Sequence, residues 1–367
     1  MKDSGDIAVV GIPFAAGAAT GAILAASAHQ IPLSLPLALS VFLTVTPAAA
    51  FLLFDNRHGP LVIRSAFIIL FFAAGLFCYL NSAVTEGVFP EGGQLTRLAR
   101  LGGDRLKGTI DRIPYQSAGT GPLVKALVTG DRSGLGKDVV KVFRDSGASH
   151  ILALSGLHLG IMYMMASSLL KPLGKGPLSL KIKYFLIISV AGAYTLVTGA
   201  SPSIVRAFLF ILIGETAKLT GRERVPFRVF AAALTIQLAL TPEVITSLGF
   251  QLSYLAMAGI VLLYPCLESI YPEVRGPDPF RYIWKAAVLS VSCQIFTAPL
   301  VWFRFHTFPK YFLMTNLLAL PLTSAVVVLS AATIALSSIG ICPGILITLN
   351  DRVAGLLVRC LETISSM

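Results

Sequence analysis

The sequence predicts an all-α, polytopic integral membrane helix bundle with about 10 (9–11) transmembrane helices. Three observations carry this reading: composition, the length of the apolar runs and the placement of loop charge. Of 367 residues, 55% are hydrophobic and 13% are charged, and the mean hydropathy is +0.79. Soluble domains carry roughly a quarter charged residues, so a soluble fold is excluded.

A helix needs about 20 mostly apolar residues to cross a bilayer. Runs of that kind fall near 7–27, 34–54, 61–81, 151–170, 183–199, 203–219, 229–248, 251–267, 286–303 and 312–339. A further run near 345–365 contains Asp351, Arg352, Arg359 and Glu362, and reads either as a crossing or as an amphipathic surface helix. The first run has a signal-like Ala26-Ser27-Ala28, but its apolar core is too long and Asp3 and Asp6 beside Lys2 make its start non-basic, so it is read as a retained span.

Loop charge orients the bundle. Segments 55–64, 171–183, 218–228 and 268–285 hold about thirteen Lys and Arg, whereas 28–36, 199–203 and 241–249 hold none. The basic loops and the N terminus are therefore expected in the cytoplasm, and residues 82–150 outside. The formal charge of +11 decides nothing alone, because topology uses the same cations that a polyanion would attract. Segmentation follows: an N-terminal three-helix membrane region at 1–82, a short extracytoplasmic linker with an amphipathic helix at 83–119, a transmembrane domain at 120–345, and a C-terminal amphipathic or membrane helix at 346–367. Within 82–150, the leucines of Leu95-Thr-Arg-Leu-Ala-Arg-Leu101 recur at helical spacing beside arginines. The region is too short for a large core of its own, so its helices are expected to rest on the membrane or re-enter the bundle.

Five cysteines stand singly, without the spacing of a disulfide framework or zinc site, and read as apolar filler. Gly130-Asp-Arg-Ser-Gly-Leu-Gly-Lys-Asp138 superficially resembles a phosphate-binding loop, but Asp131 replaces the first glycine and Asp138 the magnesium-binding hydroxyl. A surface turn in which Asp131 or Ser133 caps the next helix is expected instead.

Polar residues at the start of an apolar run are the first functional candidates. Ala148-Ser-His-Ile-Leu-Ala-Leu-Ser-Gly-Leu-His-Leu-Gly160 is such a case. Ser155 and His158 share a helical face, which permits a hydrogen bond and, in principle, base activation of a serine. The motif lacks the first glycine of an intramembrane protease G-x-S-G and any third catalytic group, and His150 and His158 lack a nearby carboxylate for a metal. No catalytic residue, metal or cofactor is assigned, and the chain is not expected to be an enzyme. Helix packing by small and polar residues accounts for much of the motif. In Gly199-Ala-Ser-Pro-Ser-Ile-Val-Arg206, Ser201 and Pro202 read as N-cap and first helical residue, which leaves Arg206 one turn inside an apolar helix, either snorkelling or facing a pore. Gly249-Phe-Gln-Leu-Ser-Tyr254 opens another span with Gln251, Ser253 and Tyr254, Pro299 interrupts a third, and Asn316 adds an amide to the last. Several such interruptions favour a conduit over an anchor.

Leu127-Val-Thr-Gly-Asp-Arg-Ser-Gly-Leu135, Phe143 through His158, Ser203 to Ala207 with Arg206, and Gly249 to Tyr254 together resemble the competence domain of ComEC-type DNA-internalisation proteins, over about 120 to 340. The resemblance implies a bacterial inner-membrane channel that passes single-stranded DNA during natural transformation. The family's usual OB-fold insert and metallo-β-lactamase-like domain are not evident, which argues for a separate nuclease. Asp131, Arg132, Lys137, His150, Ser155, His158, Arg206, Gln251, Ser253, Tyr254 and Asn316 are the expected path or pore residues, with Phe143, Phe250 and Tyr254 as stacking faces. An inside-negative potential opposes each inward phosphate by about 2.3 kcal/mol per 100 mV, and no ATP-binding motif is visible, so a cytoplasmic ATPase or helicase is expected. Other expected partners are single-stranded DNA, the lipid bilayer, a DNA receptor and further copies of the chain in a homo-oligomer. A secondary transporter of a small anionic solute is the alternative, with an intramembrane hydrolase behind it.

Overall fold

The computed structural model describes residues 4–26, 60–85, 93–174, 176–272, 278–306, 308–341 and 344–367. The expected span at 34–54 lies outside these residues, as do most of the signal-like tripeptide and parts of the basic loops at 55–64 and 268–285. Every element among the described residues is helical: α1 (Ser4–Ala26), α2 (Pro60–Thr85), α3 (Gln94–Asp111), α4 (Thr120–Thr129), α5 (Lys137–Asp145), α6 (Ser149–Leu152), α7 (Gly156–Leu169), α8 (Pro177–Val197), α9 (Pro202–Leu219), α10 (Pro226–Leu240), α11 (Leu248–Leu262), α12 (Tyr264–Glu268), α13 (Pro279–Phe305), α14 (Phe312–Ser338) and α15 (Gly344–Ser365), with 3₁₀ turns at Lys171–Leu173 and Pro242–Thr246.

Among the described residues four stretches are long and apolar enough to cross a membrane: Ser65–Ala83 in α2, and the whole of α8, α13 and α14. The apolar stretches Val10–Ala26, Pro226–Leu240 and Leu248–Leu262 are shorter. Caps and prolines set several of the other helix boundaries. The run over 251–267 is two helices, because α11 ends at Leu262 and α12 begins at Tyr264 with Pro265 in its first turn, where a missing N–H costs nothing. Ser155 starts α7 four residues into the run expected from 151. At Pro299 the structure corrects the expected interruption: α13 is one continuous helix of 27 residues. Proline removes one backbone bond, and membrane helices tolerate that when neighbouring groups compensate.

The chain forms two compact units, each assembled from two chain segments. One contains residues 1–93 and 212–254. Its central feature is the crossing of α1 and α2, where a Cβ on Gly17 would run into the Phe72 carbonyl and one on Gly75 into the Phe14 carbonyl. Glycines on both helices thus let the backbones meet, as small residues do where lipid supplies no hydrophobic drive. Phe14, Ala18, Leu234, Leu238, Phe250 and Tyr254 form the core beside this crossing. At the end of α9, Glu215 is buried and accepts from Lys218 at 2.6 Å and Arg224 at 2.9 Å. A buried carboxylate requires such partners.

The other unit contains residues 94–211 and 255–367. The polar region contributes to its core rather than standing apart. Leu123, Val124, Ala126 and Leu127 of α4 and Phe143 of α5 are enclosed together with Val326 and Val327 of α14 and Leu357 and Leu361 of α15. The Tyr194 hydroxyl of α8 donates to the Val128 carbonyl at 2.8 Å, and Asp351 of α15 accepts from the backbone N–H groups of Gln116 and Ser117 at 2.9 and 3.3 Å. The three bonds tie the α3–α4 region onto α8 and α15.

Candidate functional site

The Ala148–Gly160 motif is a helix junction. α6 ends at Leu152, Ala153 is extended, and Ser155 takes a β conformation (φ −125°, ψ 169°) that starts α7. The Ser155 hydroxyl accepts from Leu157 N–H at 3.3 Å, while His158 Nδ1 accepts from Ser155 N–H at 3.2 Å. This reciprocal capping box uses histidine where glutamate is usual. The Ser155 hydroxyl also lies 3.2 Å from His158 Nδ1. His158 is enclosed, and its Nε2 meets no hydrogen-bond partner among the described residues.

Gly156 explains what the motif accommodates. A Cβ there would stand 2.9 Å from an Nη of Arg206 and 3.2 Å from the Ala207 Cβ, so the glycine leaves the space that the guanidinium occupies. Arg206, one turn into α9, is only 9% exposed and lies over the Phe210 ring at 6.0 Å. α9 starts at Pro202 as expected, and the Ser201 carbonyl receives the first backbone bonds from Ile204 and Val205 at 2.9 Å, but the Ser201 hydroxyl makes no capping bond: it meets no partner among the described residues. The result is a fixed positive charge held against the N-terminal end of α7, where backbone N–H groups add positive potential of their own.

Upstream, the turn after α4 is built by Gly130 in the left-handed region (φ 78°), packed under Leu154. Asp131 accepts from Ser133 N–H at 3.0 Å and pairs with Lys107 at 3.0 Å. The Ser133 and Lys107 bonds hold its carboxyl well below the usual carboxylate range. Neither Asp131 nor Ser133 caps α5, a correction to the sequence expectation: Gly136 holds the N-cap position without a side-chain bond. Arg132 Nε donates to the Leu152 carbonyl at 3.1 Å, which joins this turn to the α6 end. Lys137 is exposed at the first position of α5. His150 Nδ1 is 3.2 Å from the Gly147 carbonyl. Gly147 (φ 79°) faces Pro309, and the Thr315 hydroxyl donates to the Ser146 carbonyl at 2.7 Å, so the turn after α5 is seated on the start of α14. Asn316 is next to that contact, its Oδ1 buried without a partner among the described residues.

Asp131, Arg132, Lys137, His150, Ser155, His158, Arg206 and Asn316 thus share one unit, whereas Gln251, Ser253 and Tyr254 belong to the other. There Gln251 Nε2 donates to the Ile245 carbonyl at 2.8 Å, and the Tyr254 hydroxyl donates to Gln237 Oε1 at 2.9 Å. Phe250 and Tyr254 are buried against each other with centroids 4.5 Å apart. The expectation that Phe143 offers a stacking face is corrected: its ring is 0% exposed, because α5 is amphipathic and turns Val139, Val142 and Phe143 into the core. Sequence reading missed Gly156 as the complement of Arg206, and it missed Tyr194, Thr315 and Gln237. A polar residue one helical turn from a small one in an apolar run was the available signal for Tyr194 and Thr315.

Composition and the four long apolar helices define a helical membrane protein. Its residues 127–367 match the competence protein family, and the chain belongs to that family. The chain is 26% identical over 216 residues to ComE operon protein 3 of Bacillus subtilis (58% of this chain, 26% of that protein) and 27% identical over 204 residues to competence protein ComA of Neisseria gonorrhoeae (54% and 28%). It is also 27% identical over 233 residues to the uncharacterized protein YcaI of Escherichia coli (61% and 29%). The matches therefore span less than a third of each relative's length. No solved structure matches the chain.

Proposed function

We propose that this chain contributes the membrane passage of a DNA-uptake system, through which a single strand crosses the bacterial inner membrane during natural transformation. Membership of the competence family over 127–367 carries this reading, since that range contains every candidate residue from Asp131 to Asn316. The competence names borne by two relatives agree with it.

The physical chemistry is consistent. A strand carries one negative charge per nucleotide, so its route must be polar and must hold phosphates loosely. Arg206, kept inside the bundle by the gap at Gly156, supplies a cation whose field is little screened there. About ten spans with a cytoplasmic N terminus is the topology that the apolar runs and loop charges support. The chain acts as a conduit rather than an enzyme, and an ATPase or helicase, a receptor and a nuclease act beside it.

The test is uptake of labelled DNA by a deletion strain complemented with the wild-type chain, with Arg206→Gln, or with Gly156→Val, which pushes a side chain into the guanidinium. Uptake should fall at least about 10-fold in both variants, the effect of removing roughly 1.4 kcal/mol of favourable interaction, while membrane insertion stays normal. Undiminished uptake by properly inserted Arg206→Gln refutes the assignment. Saturable solute uptake driven by an ion gradient and indifferent to DNA would instead support the transporter alternative.

A further inference from the structure

We propose that the exposed cationic stripe of α5, formed by Lys137, Lys141 and Arg144, is the surface that receives single-stranded DNA, a role that rests on the passage reading above. The three residues lie at i, i+4 and i+7, within an arc of about 60° at 100° per residue. Asp138 and Asp145 fall about a quarter-turn away, and Val139, Val142 and Phe143 face the core on the far side. Along the helix the cations are separated by about 6 and about 4.5 Å, so a strand laid along α5 meets them in succession.

The charge of the stripe is available and gathered on one arc, whereas the exposed Arg97, Arg100 and Arg105 of α3, which also form no ion pair among the described residues, are spread over about 140° of their helix. Five other cations of the same unit are occupied: Lys107 is paired with Asp131 at 3.0 Å, Lys125 with Asp111 at 2.5 Å, and Arg281 and Lys285 with Glu268 at 3.4 and 3.7 Å, while Arg132 is bound to the Leu152 carbonyl. Lys137 and Lys141 are exposed and form no ion pair among the described residues. Arg144 is 71% exposed and touches Asp145 at 3.3 Å, a surface pair of the kind that contributes little. Lys137 also stands at the first position of α5, where the helix dipole disfavours a cation. Helix stability does not ask for a lysine there; an approaching anion does. The stripe and the N-terminal N–H groups of α5 present positive potential to the same phosphates.

The experiment uses the full chain in nanodiscs of zwitterionic lipid, with fluorescence anisotropy of a labelled oligothymidylate measured over a series of salt concentrations. Neutralising three phosphate contacts on a single strand should lower the slope of log affinity against log salt by about 2, at roughly 0.7 per contact. The triple variant Lys137→Gln, Lys141→Gln, Arg144→Gln is expected to show that loss, while Lys285→Gln, already paired, keeps the wild-type slope. Circular dichroism melting verifies that both variants are folded; should the triple variant melt early, Lys141→Gln alone is read, with an expected slope change of about 0.7. Binding by the wild type with an unchanged slope in the folded variant overturns this proposal alone. No binding by the wild type overturns the passage reading beneath it. A slope loss that arises only when anionic lipid is present assigns the stripe to headgroups and also overturns it.

Discussion

At Ser155 and His158 one pair of side chains admits two chemistries, and geometry separates them. Their spacing is what a serine activated by a histidine would need, yet the imidazole receives the Ser155 N–H and the hydroxyl receives the Leu157 N–H. Both groups take part in starting a helix. The adjacency was legible in the sequence because i and i+3 share a face; the role was not, because an N-cap is defined by the backbone conformation of one residue. Arg206 is similar. Its burden of charge in an apolar run was evident, but the empty space beside Gly156, 50 residues earlier by number, belongs to the fold. Asp131 yields a pH prediction. Its folded pKa is lowered, so its contribution to stability is complete above the ordinary carboxylate value of about 3.9 and is lost as pH falls below that toward the folded pKa. Thermal melting of the purified protein between pH 7 and pH 3 should therefore drop more steeply at the acid end for the wild type than for Asp131→Asn, and parallel curves would show that the Ser133 and Lys107 contacts do not stabilise the fold.

Helices are where local chemistry had most to say. Ser155, Pro202, Asp278 with Pro279, and Pro265 each mark a helix start that residue preferences anticipate. Pro299 and Pro321 sit inside continuous helices, since one missing N–H does not end a helix that a bundle holds. The α1–α2 crossing shows an element decided by contact. Gly17 and Gly75 are ordinary in isolation, and only their juxtaposition makes each irreplaceable. Gly17→Val is expected to destabilise the pair by at least about 1–3 kcal/mol, since the obstacle is backbone rather than a side chain that can swing aside. A lowered melting temperature in detergent checks this, and Gly160→Ala, where open space surrounds the glycine, should leave it unchanged.

Over the whole molecule, the polar region and the last helix prove to be parts of one core. α15 carries charges on its exposed side but buries Leu357 and Leu361 completely against α4, α5 and α14. The charged positions made it read as either a crossing or a surface helix, since its amphipathicity has the same period in both settings. Leu357→Ala should cost about 2–5 kcal/mol through the cavity it leaves, and steric or thermal unfolding of the full chain measures it. A cost near zero would mean that α15 is only draped on the unit.

By itself the sequence determined the helical class, the membrane habit, the starts of several helices and the motifs of the competence family. These depend on composition and on residues within a few positions of one another, which a linear reading samples directly. The tertiary structure decided which charges are occupied, which aromatic rings are enclosed and which glycines make room. Thr315 meets Ser146 across 169 positions and Asp351 meets Gln116 across 235. Contacts so distant leave only a weak trace in local pattern, because what selects them is the shape and hydrogen-bonding need of the surface that folding brings opposite.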